Sequence, residues 1–400
     1  MPMNAADLFV INPSINVSPY CYSILKVEPY LTCKHECIYC FGRWYRTTSP
    51  GENDITPNVI QGFKRILSSL KKRNLKTIPY RLSTLVDPFQ PKEENHHVSK
   101  RIMDICLKNE TPLIINTKAT LLLDKEYFNI LKKLSDKSIV VVQVSLSTIN
   151  NRIAGILEPG APSPEKRLDM AEKLSGENIP VIVRLQPFIP GITDCEVEEI
   201  LRQSRYSGAR QVIVEALRDE VANLKIYENL AYDKELYEDC SAWVSYSPSV
   251  EVPSKIARPH IKWRFKVYEA VRNLCDKHGL EFSTCKEGLY NYHTAENCCG
   301  LHLLDGSKYM LRPTLNEVWS YYKRNNKIPY FEELVKNLPD IYIFKDRLKS
   351  YPRALRKKII AHEKILTDVL NRRRDELNTL LPNTLALNSN EKQRIEGNNP

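Results

Sequence analysis

Three cysteines near the N-terminus are close enough in sequence to hold a metal centre together. Cys33, Cys37 and Cys40 lie in the segment EPYLTCKHECIYCFGRW, with the spacing C-x3-C-x2-C. A structural zinc site usually takes four protein ligands, often as two C-x2-C pairs, and His35 is the alternative fourth ligand here. Three thiolates instead suit a [4Fe–4S] cluster that keeps one iron open for a small ligand. The spacing therefore predicts a [4Fe–4S] cluster on Cys33, Cys37 and Cys40.

A second group of soft ligands lies in STCKEGLYNYHTAENCCGLHLL, which contains Cys285, Cys298, Cys299 and His302. Ligands of this type predict a second Fe–S cluster or a zinc site. Adjacent cysteines rarely bind one metal ion, so Cys285 and Cys298 are the favoured ligands. Two alternatives remain open: redox-active or hydrogen-donating thiols, and buried thiols that only pack.

The composition limits the class of protein. Eleven cysteines in 400 residues do not indicate a disulfide scaffold, which belongs to short secreted chains. No apolar run approaches the 18 residues needed to cross a bilayer, and the N-terminus lacks a basic stretch followed by an apolar run. We therefore expect a cytoplasmic protein with no membrane partner.

Short apolar, β-branched runs alternate with helical patterns through the first half of the chain. The predicted strands cover 22–27, 78–84, 113–116, 139–145, 181–186 and 211–216. Repeated strand–helix alternation indicates βαβ units and a parallel sheet. Six units predict an α/β fold, a partial (β/α)6 TIM-type barrel with a C-terminal mixed and helical extension.

The organisation along the chain follows from this pattern. An N-terminal segment (1–21) precedes the partial barrel (22–217), and the extension (218–345) carries the second cysteine group. A basic amphipathic helix is predicted within 346–382, centred on residues 352–378. The last residues, 383–400, have the composition of a disordered tail.

The loop C-K-H-E-C-I-Y-C-F-G-R resembles that of the radical S-adenosylmethionine (SAM) family related to spore photoproduct lyase. The resemblance covers about residues 20–220. It is carried further by STLVDPFQP (83–91), Thr117-Lys118, Ser145-Leu146-Ser147, Leu157-Glu158-Pro159, Arg167 and PFIPG (187–191). These segments fall at the C-terminal ends of predicted strands, where barrel enzymes bind their ligands.

The resemblance implies a radical SAM enzyme. Its [4Fe–4S] cluster would reductively cleave SAM to a 5′-deoxyadenosyl radical that abstracts hydrogen from an unknown substrate, with the electron supplied by a reductase, ferredoxin or flavodoxin. The SAM-binding residues implied are Tyr39, Phe41, Asp87, Lys118, Ser145 and Arg184. Asp87 has the alternative role of capping the next helix, and Arg184 that of a structural ion-pair partner. No catalytic residue is identified.

One departure from the resemblance concerns the end of the second strand. Spore photoproduct lyases proper have a C-T-S-D segment there, whose cysteine returns a hydrogen atom to the product. The comparable segment here is S-T-L-V-D (83–87), which has no cysteine. Lesion reversal by that route is therefore not expected.

The basic segment KIARPHIKWRFK (255–266) and the net charge of +10 make a nucleic acid the favoured substrate class. Five Lys or Arg would contact phosphates while Trp263 and Phe265 stack on bases. Alternatively, the period-two pattern of the same segment predicts a surface strand with Ile261, Trp263 and Phe265 facing inward. A rival hypothesis is a non-catalytic zinc or Fe–S protein that binds nucleic acid or has a structural role.

Overall fold

A seven-stranded parallel sheet forms the centre of the molecule. The computed structural model describes residues 8–45, 54–246 and 255–382. The strands of this sheet are β1 (Leu25–Val27), β2 (Tyr80–Leu82), β3 (Leu113–Thr117), β4 (Val140–Leu146), β5 (Val181–Phe188), β6 (Gln211–Ala216) and β10 (Glu281–Thr284). They lie side by side in the order β1-β2-β3-β4-β5-β6-β10, and every neighbouring pair is parallel. The sheet is open between β1 and β10, so the predicted partial barrel is confirmed.

The strands form where apolar residues can be buried on both faces of the sheet. Every residue of β4 is buried, as expected for a strand whose two faces are both covered. The helices of this half are α1 (Val59–Lys72), α2 (Glu93–His96), α3 (Val98–Asn109), α4 (Lys125–Asp136), α5 (Asn151–Leu157), α6 (Pro164–Gly176) and α7 (Thr193–Tyr206). The C-terminal ends of the parallel strands meet at one edge of the sheet, here called the mouth.

The seventh strand, β10, comes from the segment predicted to be an extension, so the sheet continues beyond residue 217. Helix α10 (Ile261–His278) packs on α7 and leads the chain back to pair β10 with β6. The four residues of β10, EFST, contain a single large apolar side chain, Phe282. A strand this short and polar gives little sequence signal, and it is stabilised by its pairing with β6.

The strand predicted over Ile261, Trp263 and Phe265 is wrong. The segment contains β9 (Ile256–Pro259) and then the first turns of α10. The side chain of His260 caps that helix by accepting from the Lys262 N–H. Trp263 and Phe265 are half-buried, and Trp263 packs edge-on against Phe188 at 6.2 Å between ring centroids. These two aromatic rings are therefore packing residues rather than a stacking platform.

The remaining elements lie beside the mouth and around the open side of the sheet. A small antiparallel sheet has the order β7-β9-β8, with β7 at Asp219–Glu220 and β8 at Trp243–Ser245. The other helices are α8 (Leu224–Leu230), α9 (Glu235–Glu238), α11 (Leu315–Asn325), α12 (Phe331–Val335), α13 (Asp346–Lys349), α14 (Arg353–Asn371) and α15 (Leu377–Leu380). The predicted helix over 352–378 is thus α14, which ends seven residues earlier, followed by the short α15. The predicted disordered tail lies outside the described residues.

No helix in the described ranges is long and apolar enough to cross a membrane.

The N-terminal segment is fixed to α14 by a buried histidine. His362 Nδ1 lies 2.8 Å from Ser18 Oγ, and its Nε2 lies 2.8 Å from the carbonyl oxygen of Ile11. Burial lowers the pKa of His362 to about 3. The unfolded chain therefore binds this proton between pH 6.5 and 3 while the folded chain does not, so stability falls as the pH falls through that range.

We expect His362→Gln to remove this pH dependence. Between pH 7 and pH 5 the unfolding free energy of the wild type should fall by about 2 kcal/mol more than that of the variant, as 1.5 pKa units at roughly 1.4 kcal/mol each require. Urea unfolding at the two pH values measures the difference. Because burial also lowers the pKa of His293, to about 3, the variant keeps that residue's share of the pH dependence. Parallel pH profiles for the two proteins would contradict the assignment.

Candidate active site

The three cysteines lie on the loop that follows β1, at the mouth of the sheet. Cys33, Cys37 and Cys40 are all half-buried, and none of the three is in a disulfide. The pKa of Cys37 is raised to about 12, mainly by burial, and the charges of Glu158 and of the nearby Cys40 and Cys33 sulfurs contribute to this rise. The three sulfur atoms are therefore close enough for their charges to interact. Three thiolates at this position would need a bound cation to be stable, because metal ligation is what favours the deprotonated form.

Segment 87–90, after β2, holds the first half of the loop. The backbone N–H of Asp87 donates to Cys33 Sγ at 3.4 Å. Gln90 donates to the Thr32 carbonyl at 2.7 Å and accepts from the Lys34 N–H at 2.8 Å. Gln90 is completely buried, so its amide replaces the backbone pairing that this loop lacks. The resemblance in this segment thus has a structural explanation.

Asp87 joins three parts of the site. Its carboxylate accepts from Thr117 Oγ1 at 2.8 Å and from the Lys118 N–H at 2.7 Å, and His35 Nε2 lies 3.3 Å away. Although burial opposes ionisation, His35 and the backbone donors lower the pKa of Asp87 to about 2. Its Oδ1 also accepts from the Phe89 N–H at 2.9 Å within a turn. The next helix, α2, begins only at Glu93 and has no side-chain cap, so the helix-capping alternative is wrong. Asp87 therefore ties the cysteine loop to the end of β3.

The loop is held from its other side by the chain around residue 160. The Ile38 N–H donates to the Leu157 carbonyl at 2.9 Å, and the Gly160 N–H donates to the His35 carbonyl at 3.1 Å. His35 Nδ1 is 2.8 Å from the Gly160 carbonyl oxygen. A Cβ on Gly160 would lie 2.1 Å from the Lys34 carbonyl oxygen. Only glycine permits this approach of two backbones.

Behind the loop lies a buried carboxylate, Glu158. Its side chain and that of Arg167 are each 1% exposed and form an ion pair. Tyr39 donates its hydroxyl to Glu158, and Ser147 Oγ lies 3.0 Å from the Tyr39 oxygen. Despite its burial, Arg167 and Lys118 lower the pKa of Glu158. The hydroxyl of Tyr39 is therefore fixed within the protein, and its ring belongs to a buried apolar cluster beside the loop.

Two of the predicted SAM-binding residues present polar groups near this ring. The Lys118 ammonium lies 5.5 Å from the centroid of the Tyr39 ring, and within the described residues it forms no ion pair with a carboxylate. Ser145 Oγ donates to Asn116 Oδ1 at 2.8 Å. Lys118 and Ser145 come from adjacent strands, β3 and β4. An unpaired ammonium beside an aromatic face is suited to binding a carboxylate.

Arg184 lies deeper, inside the barrel. It donates to Gln143 Oε1 at 3.0 Å, and its guanidinium is 3.8 Å from Cys285 Sγ. The second predicted site is partly assembled in the same region. Cys285 follows β10, and Cys298 Sγ lies 3.6 Å from Cys299 Sγ. His302 is not with them, because it pairs with Glu281 at 2.8 Å.

A guanidinium lies among the second group of cysteines. Arg81 donates to Cys299 Sγ at 2.9 Å, and the pKa of Arg81 is raised by the charges of four cysteine sulfurs against the effect of burial. A hydrogen bond from Cys298, aided by Arg81, lowers the pKa of Cys299 to about 5. A cation is thus already provided by the protein at this position. The described residues show buried thiols paired with arginine here, and a second Fe–S cluster or zinc site stays a prediction.

In the described ranges no three His, Cys, Asp or Glu side chains converge on one point as ligands of a single metal ion, and this includes the three-cysteine loop. A [4Fe–4S] cluster does not require such convergence, because each thiolate binds a different iron atom. Three half-buried thiols on one clamped loop match the number of ligands that such a cluster needs, and the cluster stays a prediction.

One residue of the mouth was not anticipated from the sequence. Arg218 follows β6, and its guanidinium stacks on Phe41 at 4.8 Å and on Tyr246 at 4.7 Å from the ring centroids. Phe41 comes directly after Cys40, so Arg218 contacts the cysteine loop. The signal that could have identified it was available: a basic residue just beyond the C-terminal end of a predicted strand.

Comparisons with known proteins show which sequences and folds this chain is similar to. Residues 27–203 match the Radical SAM superfamily. An uncharacterized protein of Mycobacterium bovis, Mb2609c, is 27% identical over 212 residues, which cover 50% of this chain and 60% of the relative. An uncharacterized protein of Methanocaldococcus jannaschii, MJ0683, is 25% identical over 175 residues, covering 42% of this chain and 62% of that protein. The match thus spans about three fifths of these relatives.

Among solved structures, spore photoproduct lyase complexed with dinucleoside spore photoproduct is similar, with a TM-score of 0.50. The two sequences are 12% identical, and the similarity covers 69% of this chain and 79% of that one. At this identity the likeness concerns the fold, the open parallel sheet with helices around it.

Proposed function

We propose that the protein is an enzyme of the radical SAM type that binds a [4Fe–4S] cluster and SAM at the mouth of its sheet, and the match of residues 27–203 to the Radical SAM superfamily supports this proposal. Cys33, Cys37 and Cys40 would hold the cluster. When bound, this pair of cofactors supplies one-electron cleavage of SAM to a 5′-deoxyadenosyl radical that abstracts hydrogen from the substrate. A reductase, ferredoxin or flavodoxin would supply the electron.

The protein itself would position the two cofactors and exclude water from them. The Asp87 N–H donates to Cys33 Sγ, and a hydrogen bond of this kind stabilises negative charge on a ligating sulfur. Lys118, with its ammonium over the Tyr39 ring, would bind the SAM carboxylate. Ser145 would contact SAM from the end of β4, while Tyr39 and Phe41 would flank the adenine and the cluster. Each role uses a residue at the C-terminal end of a strand or on the loop that follows it, where parallel α/β folds bind ligands.

The roles of Asp87 and Arg184 differ from those implied by the resemblance. Asp87 accepts four contacts from the protein, so we infer that it positions Lys118 and His35. Arg184 contacts Gln143 and Cys285, so we infer that it stabilises the barrel interior.

The observation that carries the proposal is the clamping of the three-cysteine loop by Asp87, Gln90 and Gly160. A loop of free thiols without a metal has no need of such support, whereas ligands of a cluster must be held in place.

Anaerobic reconstitution with iron and sulfide tests the proposal. We expect an EPR signal of a reduced [4Fe–4S] cluster that changes when SAM is added, together with formation of 5′-deoxyadenosine. A cluster that forms but neither binds nor cleaves SAM would favour an electron-transfer protein. Stoichiometric zinc in a colourless protein would favour the non-catalytic alternative.

The substrate proposed here is a nucleic acid or a compound derived from one. The net charge of +10 supports an anionic partner, and the structurally similar spore photoproduct lyase was crystallised with a dinucleoside.

A further inference from the structure

A group of cations lies at the mouth beside the three-cysteine loop and is only partly neutralised. It consists of Arg218 after β6, Arg258 in β9, Arg264 in α10 and Lys286 after β10, and it is called here the cationic site. Two carboxylates face these four cations. Among the described residues the site therefore has an excess of two positive charges.

Glu215 is shared by two of the cations. Its Oε1 lies 3.0 Å from Arg218 and 2.8 Å from Lys286. Its side chain is only 5% exposed, so one buried carboxylate balances two cations. One of these positive charges is left without a carboxylate of its own.

Glu287, the second carboxylate, also has several partners within the protein. It pairs with Arg264 and accepts from Tyr268 at 3.0 Å and from the Ala216 N–H at 3.0 Å. Arg258 comes no closer to it than 3.8 Å, and Arg258 Nε is buried with no hydrogen-bond partner in the described part of the chain. Arg258 is thus the second cation without a close counter-charge.

Burying such charge is unfavourable unless an anion completes the site. An unpaired buried charge costs several kcal/mol, and Lys286 in addition has a backbone φ of +59°, which a non-glycine residue adopts at a cost. The side chains of Arg218, Arg258 and Lys286 are 11%, 13% and 15% exposed. They therefore retain access to solvent and to a ligand.

The shape of the site indicates what enters it. A narrow pocket of ≈10 Å³ is lined by Arg258, Lys286 and Tyr246, with Asn16 and Thr379 adding an amide and a hydroxyl. This volume holds a single water-sized group, such as one anionic oxygen. Arg218 does not line this pocket but lies beside it, because it stacks on Tyr246 and shares Glu215 with Lys286. Phosphate places several charged oxygens on one tetrahedral centre, and two guanidinium groups and an ammonium group around one pocket match it better than they match a planar carboxylate.

We propose that Arg218, Arg258 and Lys286 bind a phosphate group of the substrate. The proposal rests on the function proposed above and narrows the substrate to a phosphate-bearing one. Since Arg218 stacks on Phe41, next to Cys40, a phosphate held here would place the rest of the substrate beside the cluster loop. The phosphate could belong to a free nucleotide or to a nucleic-acid backbone, which share this chemistry.

The test is titration of inorganic phosphate into the full-length, cluster-free protein by calorimetry, with acetate at equal ionic strength as the comparison. Phosphate should bind and raise the melting temperature, and acetate should do neither. We expect Lys286→Gln and Arg258→Gln each to weaken phosphate binding about tenfold, the loss of about one charge-assisted contact. Lys262→Gln, which removes an exposed cation from α10, is the matched control and should bind as the wild type does.

A 5′-mononucleotide and a dinucleotide, titrated in the same way, distinguish a phosphomonoester from a phosphodiester. Absence of phosphate binding, equal binding of acetate, or equal affinity in all variants would overturn the proposal. Lys286→Gln keeps the same backbone and changes a partly exposed side chain, so it remains informative if Arg258→Gln fails to fold. Because no cluster is present, failure here is distinct from failure to form 5′-deoxyadenosine.

Discussion

Replacing Cys37 with alanine is expected to abolish the iron–sulfur cluster and with it all formation of 5′-deoxyadenosine. The reconstituted wild type should contain about four iron atoms per chain for one [4Fe–4S] cluster, and the variant should fall to background. The loss should be complete because two thiolates cannot hold a cluster that already has an open iron. Iron and sulfide content, the visible absorption and 5′-deoxyadenosine formation measure the effect.

The control for this variant is Cys195→Ala. Cys195 is exposed and lies in α7, away from the three-cysteine loop, so its loss should leave the iron content unchanged. Cys37 packs partly against apolar neighbours, and the melting temperature of the cluster-free proteins shows whether Cys37→Ala is folded. A folded Cys37→Ala protein that retains the full iron complement would contradict the ligand assignment.

The parts of this site that follow from local spacing could be predicted from the sequence. The three cysteines are within eight residues of each other, and the apolar runs of β3 to β6 are long enough to mark parallel strands. Lys118 and Ser145 could be placed at the mouth because each comes at or near the end of such a run. In these cases the residues of one short segment are sufficient for the prediction.

The features that were missed depend on residues far apart in the chain. β10 has four residues and exists because β6 offers it a partner 70 residues earlier. The spacing of the aromatic residues at 263 and 265 has period two and is therefore compatible with a strand. The segment is a helix because the His260 cap and packing on α7 stabilise it. The four cations of the cationic site are brought together by their contacts with Glu215 and Glu287, and most of these contacts join residues too far apart for a local pattern to reveal.

Loss of the Glu158 charge is expected to have the largest effect on stability. Glu158→Gln leaves the Arg167 guanidinium, 1% exposed, without a counter-ion. Removing one partner of a buried pair costs about 3–5 kcal/mol because the other charge remains uncompensated. Urea unfolding of the cluster-free proteins measures the loss. The variant also replaces the charged acceptor of the Tyr39 hydroxyl with a neutral one, so we expect that hydrogen bond to weaken.

The exposed pair between Glu199 and Arg202, whose side chains are 44% and 60% exposed, provides the matched control. Glu199→Gln makes the same chemical change in water, where such a pair is worth less than about 1 kcal/mol. A second test is the double variant Glu158→Gln, Arg167→Met, which removes both charges. The double variant should lose clearly less unfolding free energy than the sum of the losses of the two single variants, since residues in direct contact are energetically coupled. If the losses in unfolding free energy were additive, the expected coupling between Glu158 and Arg167 would be contradicted. A Glu158→Gln protein as stable as Glu199→Gln would contradict the expected contribution of the buried pair to stability.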